Sequence, residues 1–206
     1  MVQEHYFSAD PASPAKITAV SFEVEGQSFT LQAASGTFSS GKLDPGTKVL
    51  LGLSNHFPKS GKVLDLGCGW GPIGISIAKL RPHTEVLGID VNERSIELAN
   101  QNAARLGLAN FQAIKGSNLD ETEFFDAIWS NPPIRIGKQQ LHDLLREALA
   151  RLKPSGSAYL VVQKQLGADS LQQWLADCYP EREVARVENS KGYRVIGISE
   201  ARLRCS

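Results

Sequence analysis

The fold of this chain is decided by the stretch Val63-Leu64-Asp65-Leu66-Gly67-Cys68-Gly69-Trp70-Gly71-Pro72-Ile73-Gly74. An apolar run ends in an acid, a glycine then stands at almost every second position, and a helical pattern follows. Glycine allows positive φ and lets a ligand approach the backbone closely. The first turn of a helix leaves N–H groups free to meet that ligand. The stretch therefore predicts a β-strand, a ligand-binding loop and a helix in succession.

Length and composition indicate one domain of ordinary size. The 206 residues are 42% hydrophobic, which is enough apolar material for a full core. The 22 basic side chains equal the 22 acidic ones, so the formal net charge is +0. A strong, sequence-independent nucleic-acid binder carries a large positive charge. The charge balance therefore disfavours that class and leaves room only for a local basic patch.

The cysteine pattern and the N-terminus indicate a cytoplasmic protein with reduced thiols. Cys68, Cys178 and Cys205 are odd in number and widely spaced, so they form neither a disulfide framework nor a zinc-binding pattern. The first residues are polar, and no apolar run reaches the length of a membrane span. We therefore expect no metal site and no membrane contact. The sequence leaves the oligomeric state open.

Strand and helix patterns alternate after residue 44. Strands are predicted over 62–66, 85–90, 111–115, 125–130, 157–163, 182–188 and 193–198, and helices over 45–57, 72–80, 93–106, 138–152 and 168–179. Such alternation favours an α/β fold with a parallel sheet and helices on both faces. The last two strands are too close for a helical crossover and must form an antiparallel hairpin. The prediction is a Rossmann-like, seven-stranded, mostly parallel sheet.

The first 44 residues are predicted to be an extension of this domain. An irregular lead-in over 1–16 precedes two β-like runs, 17–24 and 28–31, which a turn at 25–27 joins into a hairpin. A loop of small residues follows, and Asp44 and Pro45 are typical of a helix N-cap and first turn. We therefore divide the chain into an extension over 1–44 and the main domain over 45–206.

The glycine loop is compatible with more than one adenosine ligand. Gly69 to Gly74 fits the G-x-G-x-x-G pattern that dinucleotide sites use, and Asp90, 21 positions after Gly69, could accept hydrogen bonds from ribose hydroxyls. Asp65 would repel a pyrophosphate, but it would favour a ligand with a cationic amino group or sulfonium. S-adenosylmethionine carries both groups and no phosphate, so it is the cofactor that these residues predict.

Two motifs resemble those of a known enzyme class. The run from Asp65 to Gly71 resembles the first motif of class I S-adenosylmethionine-dependent methyltransferases, and Asn131-Pro132-Pro133-Ile134 resembles the catalytic motif of their amino-methylating branch. Shorter segments resemble the ribosomal RNA small subunit methyltransferase C type, also called the methyltransferase small domain. These segments are His5-Tyr6-Phe7-Ser8, Phe38-Ser39, Leu43-Asp44, Gly46-Thr47, Ser117-Asn118 and Tyr193-Arg194.

The resemblance implies a set of cofactor-binding residues. They are expected on the glycine loop, after the second and third strands, and on a loop before the first helix that would close over the cofactor. Asn118 is expected to hydrogen-bond the adenine amine, with an ordinary loop residue as the alternative interpretation. The full set is Asp65, Gly67, Cys68, Gly69, Gly71, Asp90, Val91, Asn118, Phe38, Ser39 and Lys42.

The resemblance also implies how Asn131, Pro132, Pro133 and Ile134 act. The Asn131 side-chain oxygen and the Pro132 carbonyl could each accept one N–H of an exocyclic amine, which would turn the amine lone pair toward the methyl group. The prolines fix the backbone. Ile134 stands where relatives that act on adenine or glutamine carry an aromatic residue. The expected acceptor is the N2 amine of a guanine in ribosomal RNA, and the expected partner is that RNA or the small subunit.

Three alternatives stay open at this point. The enzyme could methylate adenine N6 in nucleic acid or a protein glutamine. The chain could be a non-catalytic cofactor-binding or RNA-binding module, although Asn131 and Asp65 are intact. An NAD-dependent oxidoreductase would use the glycine loop but would give Asn131-Pro132-Pro133 no role. The best-known members of the resembled type carry two such domains in tandem, whereas this chain has one.

Overall fold

The computed structural model describes residues 16–201. Residues 1–15 of the predicted lead-in, which include the segment His5-Tyr6-Phe7-Ser8, and Cys205 lie outside this range. The strands are β1 Ile17–Val24, β2 Gln27–Ala34, β3 Gly61–Leu66, β4 Thr84–Asp90, β5 Phe111–Lys115, β6 Phe125–Ser130, β7 Leu152–Gln163, β8 Arg182–Ser190 and β9 Tyr193–Glu200. The helices are α1 Pro45–Leu51, α2 Pro72–Leu80, α3 Glu93–Arg105, α4 Lys138–Leu149 and α5 Ala168–Cys178.

The main sheet has seven strands in the order β5-β4-β3-β6-β7-β9-β8. The pairs from β5 to β7 are parallel, and β9 runs antiparallel to both β7 and β8. The Rossmann-like α/β fold with a C-terminal hairpin is therefore confirmed. The strands that follow β3 in the chain, β4 and β5, lie on one side of it, and the strands that follow β6 lie on the other side. The crevice at the carboxyl ends of β3 and β6 is therefore the topological switch point, where α/β sheets bind ligands.

Side chains alternate along the strands between two apolar layers. Val63, Trp129 and Val161 pack with α1, α2, α3 and the N-terminal hairpin. Leu64 and Ile128 pack on the opposite face with α4 and α5. Parallel strands that are buried on both faces have continuous apolar sequences. Helices cover both faces of this sheet, as the sequence predicted.

The N-terminal hairpin packs against α3 and shares the first of these layers. The Asn102 side chain on α3 accepts a hydrogen bond from Gln32 N at 2.8 Å and donates to Gln32 O at 2.8 Å. The same amide donates to Trp70 O at 3.0 Å. Asn102 therefore ties the hairpin to the glycine loop. The division of the chain at residue 44 stays a prediction.

Two predicted helices are shorter than expected. The helix predicted over 45–57 ends at Leu51, and a separate 3-10 turn follows at Ser54–His56. The helix predicted over 138–152 ends at Leu149 because Leu152 already begins β7, where it pairs with Phe125. Apolar residues near Leu152 satisfy both a helical and a strand pattern, and pairing with β6 decides for the strand.

No helix within residues 16–201 is both long enough and apolar enough to cross a membrane.

Candidate active site

The glycine loop and the Asn-Pro-Pro segment leave neighbouring strands at the same level. Leu66, the last residue of β3, pairs with Ser130, the last residue of β6. The Ser130 hydroxyl donates to Leu66 O at 2.7 Å and fixes this pairing. Gly67 and Asn131 therefore start side by side at the switch point, although 64 positions separate them.

The backbone of the glycine loop is fixed by the end of β4. Gly67 N and Cys68 N both donate to Ile89 O, at 2.9 and 3.0 Å. Gly67 and Gly69 have φ of 72° and 55°, and Gly71, the N-cap of α2, has φ of 94°. A Cβ at Gly71 would lie 2.6 Å from Ile75 Cδ1. Gly71 is therefore required for its conformation and because the Ile75 side chain of α2 occupies the place of a Cβ, and it does not line the pocket described below.

Asp90 connects this loop to the start of α3. Its Oδ2 accepts from Gly69 N at 2.8 Å, and its Oδ1 accepts from Asn92 N at 2.9 Å. Burial raises the pKa of Asp90 above its ordinary value. Each carboxylate oxygen has a second acceptor site, and Asp90 lines the pocket. The carboxylate is thus placed both to shape the loop and to accept hydrogen bonds from a ligand.

Asp65, which the sequence predicted to bind the cofactor, lies under the loop and does not line the pocket described below. The side chain is completely buried, and Oδ2 accepts from Gly74 N at 2.7 Å. Its Oδ1 has no hydrogen-bond partner among residues 16–201. Burial raises the pKa of Asp65 to about 7. A Cβ at Gly74 would lie 2.9 Å from Asp65 Oδ2, so the glycine makes this approach possible.

Cys68 is buried as well and contributes no thiolate. Burial raises the pKa of its thiol well above the ordinary value, and Sγ lies 3.6 Å from Gly69 O. The thiol packs against Gly88, where an added Cβ would be 3.0 Å away. Cys68 is thus a packing residue whose backbone N–H shapes the loop, in line with the sequence interpretation of its thiol.

A pocket opens where β3, β4 and β6 end, and we call it the cofactor pocket. Predicted site residues from four separate segments meet there. Its lining comprises Phe38, Leu66, Gly67, Gly69, Ile89, Asp90, Val91, Gly116, Asn131, Pro133 and Leu144. The structure therefore brings together seven of the predicted residues, namely Phe38, Gly67, Gly69, Asp90, Val91, Asn131 and Pro133.

Six predicted cofactor residues do not line this pocket. Asp65, Cys68 and Gly71 have been described above, and the other three are Asn118, Ser39 and Lys42. Asn118 is exposed, and its side chain meets Ser117 Oγ at 3.4 Å. Gly116, two residues earlier, lines the pocket instead. Ser39 has φ of 54° and donates its hydroxyl to Lys42 O at 2.6 Å, which closes a turn, and Lys42 is exposed. Their roles toward a cofactor stay predictions.

Phe38 reaches the pocket because the glycine loop holds its backbone. Trp70 Nε1 donates to Phe38 O at 2.9 Å, and the Trp70 side chain is itself buried. The segment before α1 is thereby linked to the loop after β3. This contact supplies the physical reason for a tryptophan inside the glycine loop.

The Asn131 amide is oriented by α1. Nδ2 donates to Asp44 Oδ1 at 2.7 Å and to Thr47 Oγ1 at 3.0 Å. A carboxylate only accepts hydrogen bonds, so the nitrogen of the amide must face Asp44. The amide oxygen is the remaining group, and it is left to accept hydrogen bonds from a ligand.

The two prolines form a tight turn after Asn131. Ile134 N donates to Pro132 O at 2.8 Å, and Pro133 has φ of −75° and ψ of 76°. These angles are those of an inverse γ-turn. The Pro132 carbonyl is therefore engaged by Ile134, although its oxygen retains a second lone pair. The turn sets the direction in which that carbonyl points.

A second pocket adjoins the first, and we call it the acceptor pocket. It shares Phe38, Asn131 and Pro133 with the cofactor pocket. Its other lining residues are Asp44, Pro132, Ile134, Arg135, Val161, Gln163, Leu166 and Tyr193. Asn131 thus stands in the common wall of two pockets, and all four predicted catalytic residues line the acceptor pocket.

The sequence did not predict that Asp44 and Thr47 hold Asn131. Asp44 was assigned as the N-cap of α1, and this is confirmed because its Oδ1 accepts from Thr47 N at 2.9 Å. The segments Leu43-Asp44 and Gly46-Thr47 were noticed only through the family resemblance. Their pairing with Asn131 required the tertiary structure because 87 positions separate Asp44 from Asn131.

Within residues 16–201, no group of three or more His, Cys, Asp or Glu side chains is placed to hold a metal ion.

A Rossmann-like sheet with a glycine loop at β3, an acid at the end of β4 and an Asn-Pro-Pro turn after β6 defines the class I methyltransferase architecture. The model of the methyltransferase small domain matches residues 28–197, and the chain belongs to that family. This membership confirms the resemblance that the two motifs indicated.

Relatives in two groups support this assignment. An uncharacterized protein of Bacillus subtilis, YbxB, is 37% identical over 198 residues, which are 95% of this chain and 98% of that protein. The ribosomal RNA small subunit methyltransferase C of Alcanivorax borkumensis is 33% identical over 163 residues, which are 73% of this chain but 46% of that protein. The chain thus spans about half the length of the named ribosomal RNA methyltransferases that it matches.

Solved structures resemble the fold over most of its length. The T. thermophilus 16S rRNA methyltransferase RsmC, in complex with AdoMet and guanosine, superposes with a TM-score of 0.76 at 26% identity. The match covers 93% of this chain and 52% of that one. A methyltransferase from Pyrococcus furiosus superposes with a TM-score of 0.62 at 20% identity, covering 76% and 83% of the two chains; this likeness concerns the fold alone.

Proposed function

We propose that this chain binds S-adenosylmethionine in the cofactor pocket and methylates the N2 amine of a guanine in small-subunit ribosomal RNA. The observation that carries the proposal is the position of Asn131 in the common wall of the two pockets. A side chain in that wall can hold an amine in the acceptor pocket so that the amine faces a methyl donor in the cofactor pocket. Such alignment is the main demand of methyl transfer.

The residues of the cofactor pocket fit this ligand. Asp90 keeps acceptor capacity for a ribose hydroxyl beyond the backbone N–H groups that it holds, and Gly67 and Gly69 let the backbone come close to the ligand. The buried Asp65 side chain lies under the loop with an unpartnered oxygen, and in its ionised form it would favour a cationic ligand over a phosphate. We further propose that Phe38 covers the cofactor, with Ser39 and Lys42 in the same loop, and that Asn118 approaches the adenine.

The bound cofactor supplies a methyl group on a sulfonium, which is already activated for displacement. The protein has to present the amine with its lone pair directed along the methyl–sulfur axis. Asn131 Oδ1 accepts one N–H, and the second lone pair of the Pro132 carbonyl accepts the other. With both hydrogens held, the lone pair is the part of the amine that faces the cofactor pocket. The amine is neutral, so no general base is needed before transfer, and its extra proton leaves to water afterwards.

The proposed acceptor follows from the family and from Ile134. The relatives with a named activity are ribosomal RNA small subunit methyltransferases, and guanosine is present in the complex of the T. thermophilus methyltransferase. Ile134 lines the acceptor pocket with an aliphatic side chain, which packs on a base without the stacking that an aromatic ring supplies. Arg135, in the same lining, is exposed and placed to meet a phosphate.

Transfer of tritium from labelled cofactor tests the proposal. The acceptors are small ribosomal subunits, whole ribosomes and free ribosomal RNA, all from cells that lack this protein. Nucleoside analysis should place the label in N2-methylguanosine. Label in N6-methyladenosine or in ribosomal protein would replace the proposed acceptor with another amine. Binding of NAD, with no binding of S-adenosylhomocysteine in calorimetry, would contradict the cofactor.

A further inference from the structure

Asp44 has one carboxylate oxygen occupied and one unoccupied. Its Oδ1 accepts from Thr47 N at 2.9 Å and from Asn131 Nδ2 at 2.7 Å, which uses both lone pairs of that oxygen. No residue between 16 and 201 donates a hydrogen bond to Oδ2. Asp44 nevertheless lines the acceptor pocket, beside Asn131 and Tyr193. Capping α1 and holding Asn131 thus use one of the two carboxylate oxygens, Oδ1.

The position of Asp44 is closely restricted. A Cβ at Gly46 would lie 2.9 Å from Tyr193 Cε1 and 3.0 Å from Asp44 Oδ1. Glycine at position 46 thus allows the tyrosine ring and the carboxylate to approach the same point from two sides. Because Thr47 N and Asn131 Nδ2 both hold Oδ1 and Asp44 lines the acceptor pocket, the carboxylate is fixed at the wall of that pocket.

The acceptor groups on this wall can be compared with the hydrogen-bonding edge of guanine. Asp44 and the Asn131 amide are hydrogen-bonded to each other through Nδ2, and both line the acceptor pocket, so a single ligand could meet the unoccupied Asp44 oxygen and the Asn131 oxygen. In guanine the N1–H and the N2 amine are neighbours, since both nitrogens are bonded to the same carbon. Adenine presents an unprotonated N1, which is an acceptor, at the corresponding place. A carboxylate beside Asn131 therefore favours guanine and opposes adenine.

We propose that the Asp44 carboxylate accepts the N1–H of the guanine whose N2 amine Asn131 holds, and that Asp44 thereby determines the base specificity of the acceptor pocket. The inference rests on the proposed function. A carboxylate buried against a base that lacks the N1–H would lose its partner and face a lone pair. A site built to hydrogen-bond one group discriminates strongly against an analogue that lacks it.

The variant Asp44→Asn separates reading of the base from positioning of Asn131. Asparagine keeps one oxygen, which still caps α1 and still accepts from Asn131, because Asn and Asp are equivalent N-caps. The second oxygen becomes an NH₂ group, which donates. The variant therefore leaves the support of Asn131 in place and reverses the hydrogen-bonding character of the unoccupied atom. Thr47→Val is the matched control, since it removes one support of Asn131 and leaves the Asp44 carboxylate intact.

The first measurement compares binding of guanosine and 2-aminopurine riboside in the presence of S-adenosylhomocysteine. Both nucleosides carry the 2-amino group, but only guanosine carries an N1–H. Wild type and Thr47→Val should prefer guanosine to the same degree. Asp44→Asn should weaken guanosine by roughly 10- to 100-fold, the range of one hydrogen bond to a charged group, and should bind 2-aminopurine riboside at least as well as wild type does. An unchanged ratio of the two affinities would overturn the inference.

The second measurement is kcat/KM for methyl transfer to small ribosomal subunits from cells that lack this protein. Asp44→Asn should lower it roughly 10- to 100-fold, and a value within about threefold of wild type would overturn the inference even where nucleoside binding is too weak to detect. Wild type that forms no N2-methylguanosine would refute the proposed function and this inference together. Formation of N2-methylguanosine with an insensitive Asp44→Asn variant would refute the inference alone.

Discussion

Asn131 Nδ2 lies 2.7 Å from Asp44 Oδ1, and this bond joins the turn after β6 to the start of α1 across 87 positions of sequence. It fixes which way the Asn131 amide faces. Without it, the amide could rotate and present its nitrogen to the pockets, where an amine needs an acceptor. The orientation of the Asn131 side chain therefore depends on the position of α1. Substitutions at Asn131 and at the start of α1 can test this dependence.

Replacement of Asn131 by alanine should abolish transfer and spare cofactor binding. The amide oxygen is the acceptor that we place against the amine, while the glycine loop and Asp90 do not depend on it. We expect the transfer rate to fall at least roughly 100-fold, and the Kd of S-adenosylhomocysteine in calorimetry to change less than about threefold. Asn189→Ala, at an exposed position of β8, is the control. Loss of transfer and cofactor binding together would contradict the assigned role.

Gly46→Ala should reduce transfer without unfolding the protein. The new Cβ would lie 2.9 Å from Tyr193 Cε1 and 3.0 Å from Asp44 Oδ1, so one of these groups must move. Alanine is the better helix former by about 1 kcal/mol, which offsets part of the clash in the free energy of unfolding. We expect a roughly tenfold lower transfer rate with a melting temperature close to that of wild type. The control is Lys48→Ala, which changes an exposed residue of the same helix; equal rates for both variants would show that Asp44 tolerates the methyl group.

Asp90→Ala should weaken the cofactor. The variant removes the acceptor that we assign to the ribose, and it also releases Gly69 N and Asn92 N, which Asp90 holds at 2.8 and 2.9 Å. Loss of hydrogen bonds to a charged group predicts a roughly 10- to 100-fold higher Kd for S-adenosylhomocysteine in calorimetry. Asp177→Ala, exposed on α5, should bind as wild type does. If Asp90→Ala left the Kd unchanged, Asp90 would not bind the ribose.

Asp65 should make the stability of the ligand-free protein depend on pH. Its pKa is about 7 in the folded state because of burial, against an ordinary value of 3.8. Between these values the folded protein keeps a proton that the unfolded chain has lost. The free energy of unfolding therefore falls as pH rises from about 4 to about 7, by up to about 4 kcal/mol.

Asp65→Asn removes this ionisation and keeps an oxygen for Gly74 N. The difference in free energy of unfolding, variant minus wild type, should therefore be larger at pH 8 than at pH 4. Urea unfolding of both proteins at pH 4, 6 and 8 measures the difference. If the free energy of unfolding of the two proteins changed with pH in parallel, the Asp65 carboxylate would be solvated or paired. Burial would then not raise its pKa.

Most of the fold was predictable from local patterns, and the exceptions have physical causes. Apolar runs bounded by glycine and acids identified every strand of the main sheet. The predicted ends of two helices were wrong. The helix α1 ends at Leu51 and a 3-10 turn follows, and Leu152 pairs with Phe125 in the sheet, which a local pattern does not reveal. In the candidate site, Gly67, Gly69, Asp90 and Asn131 could be proposed from the sequence because backbone freedom and side-chain chemistry leave a signal there, and all four line the cofactor pocket.

The sequence by itself determined the alternating α/β architecture, the glycine loop and the Asn-Pro-Pro turn, since each depends on conformational preferences of neighbouring residues. Only the tertiary structure decided what these parts do to one another. It placed Asp65 below the loop rather than in the pocket, left Asn118 exposed, and brought Asp44 and Thr47 to Asn131. Such contacts join residues far apart in the chain, and they exist because parallel strands bring their carboxyl ends to one edge of the sheet.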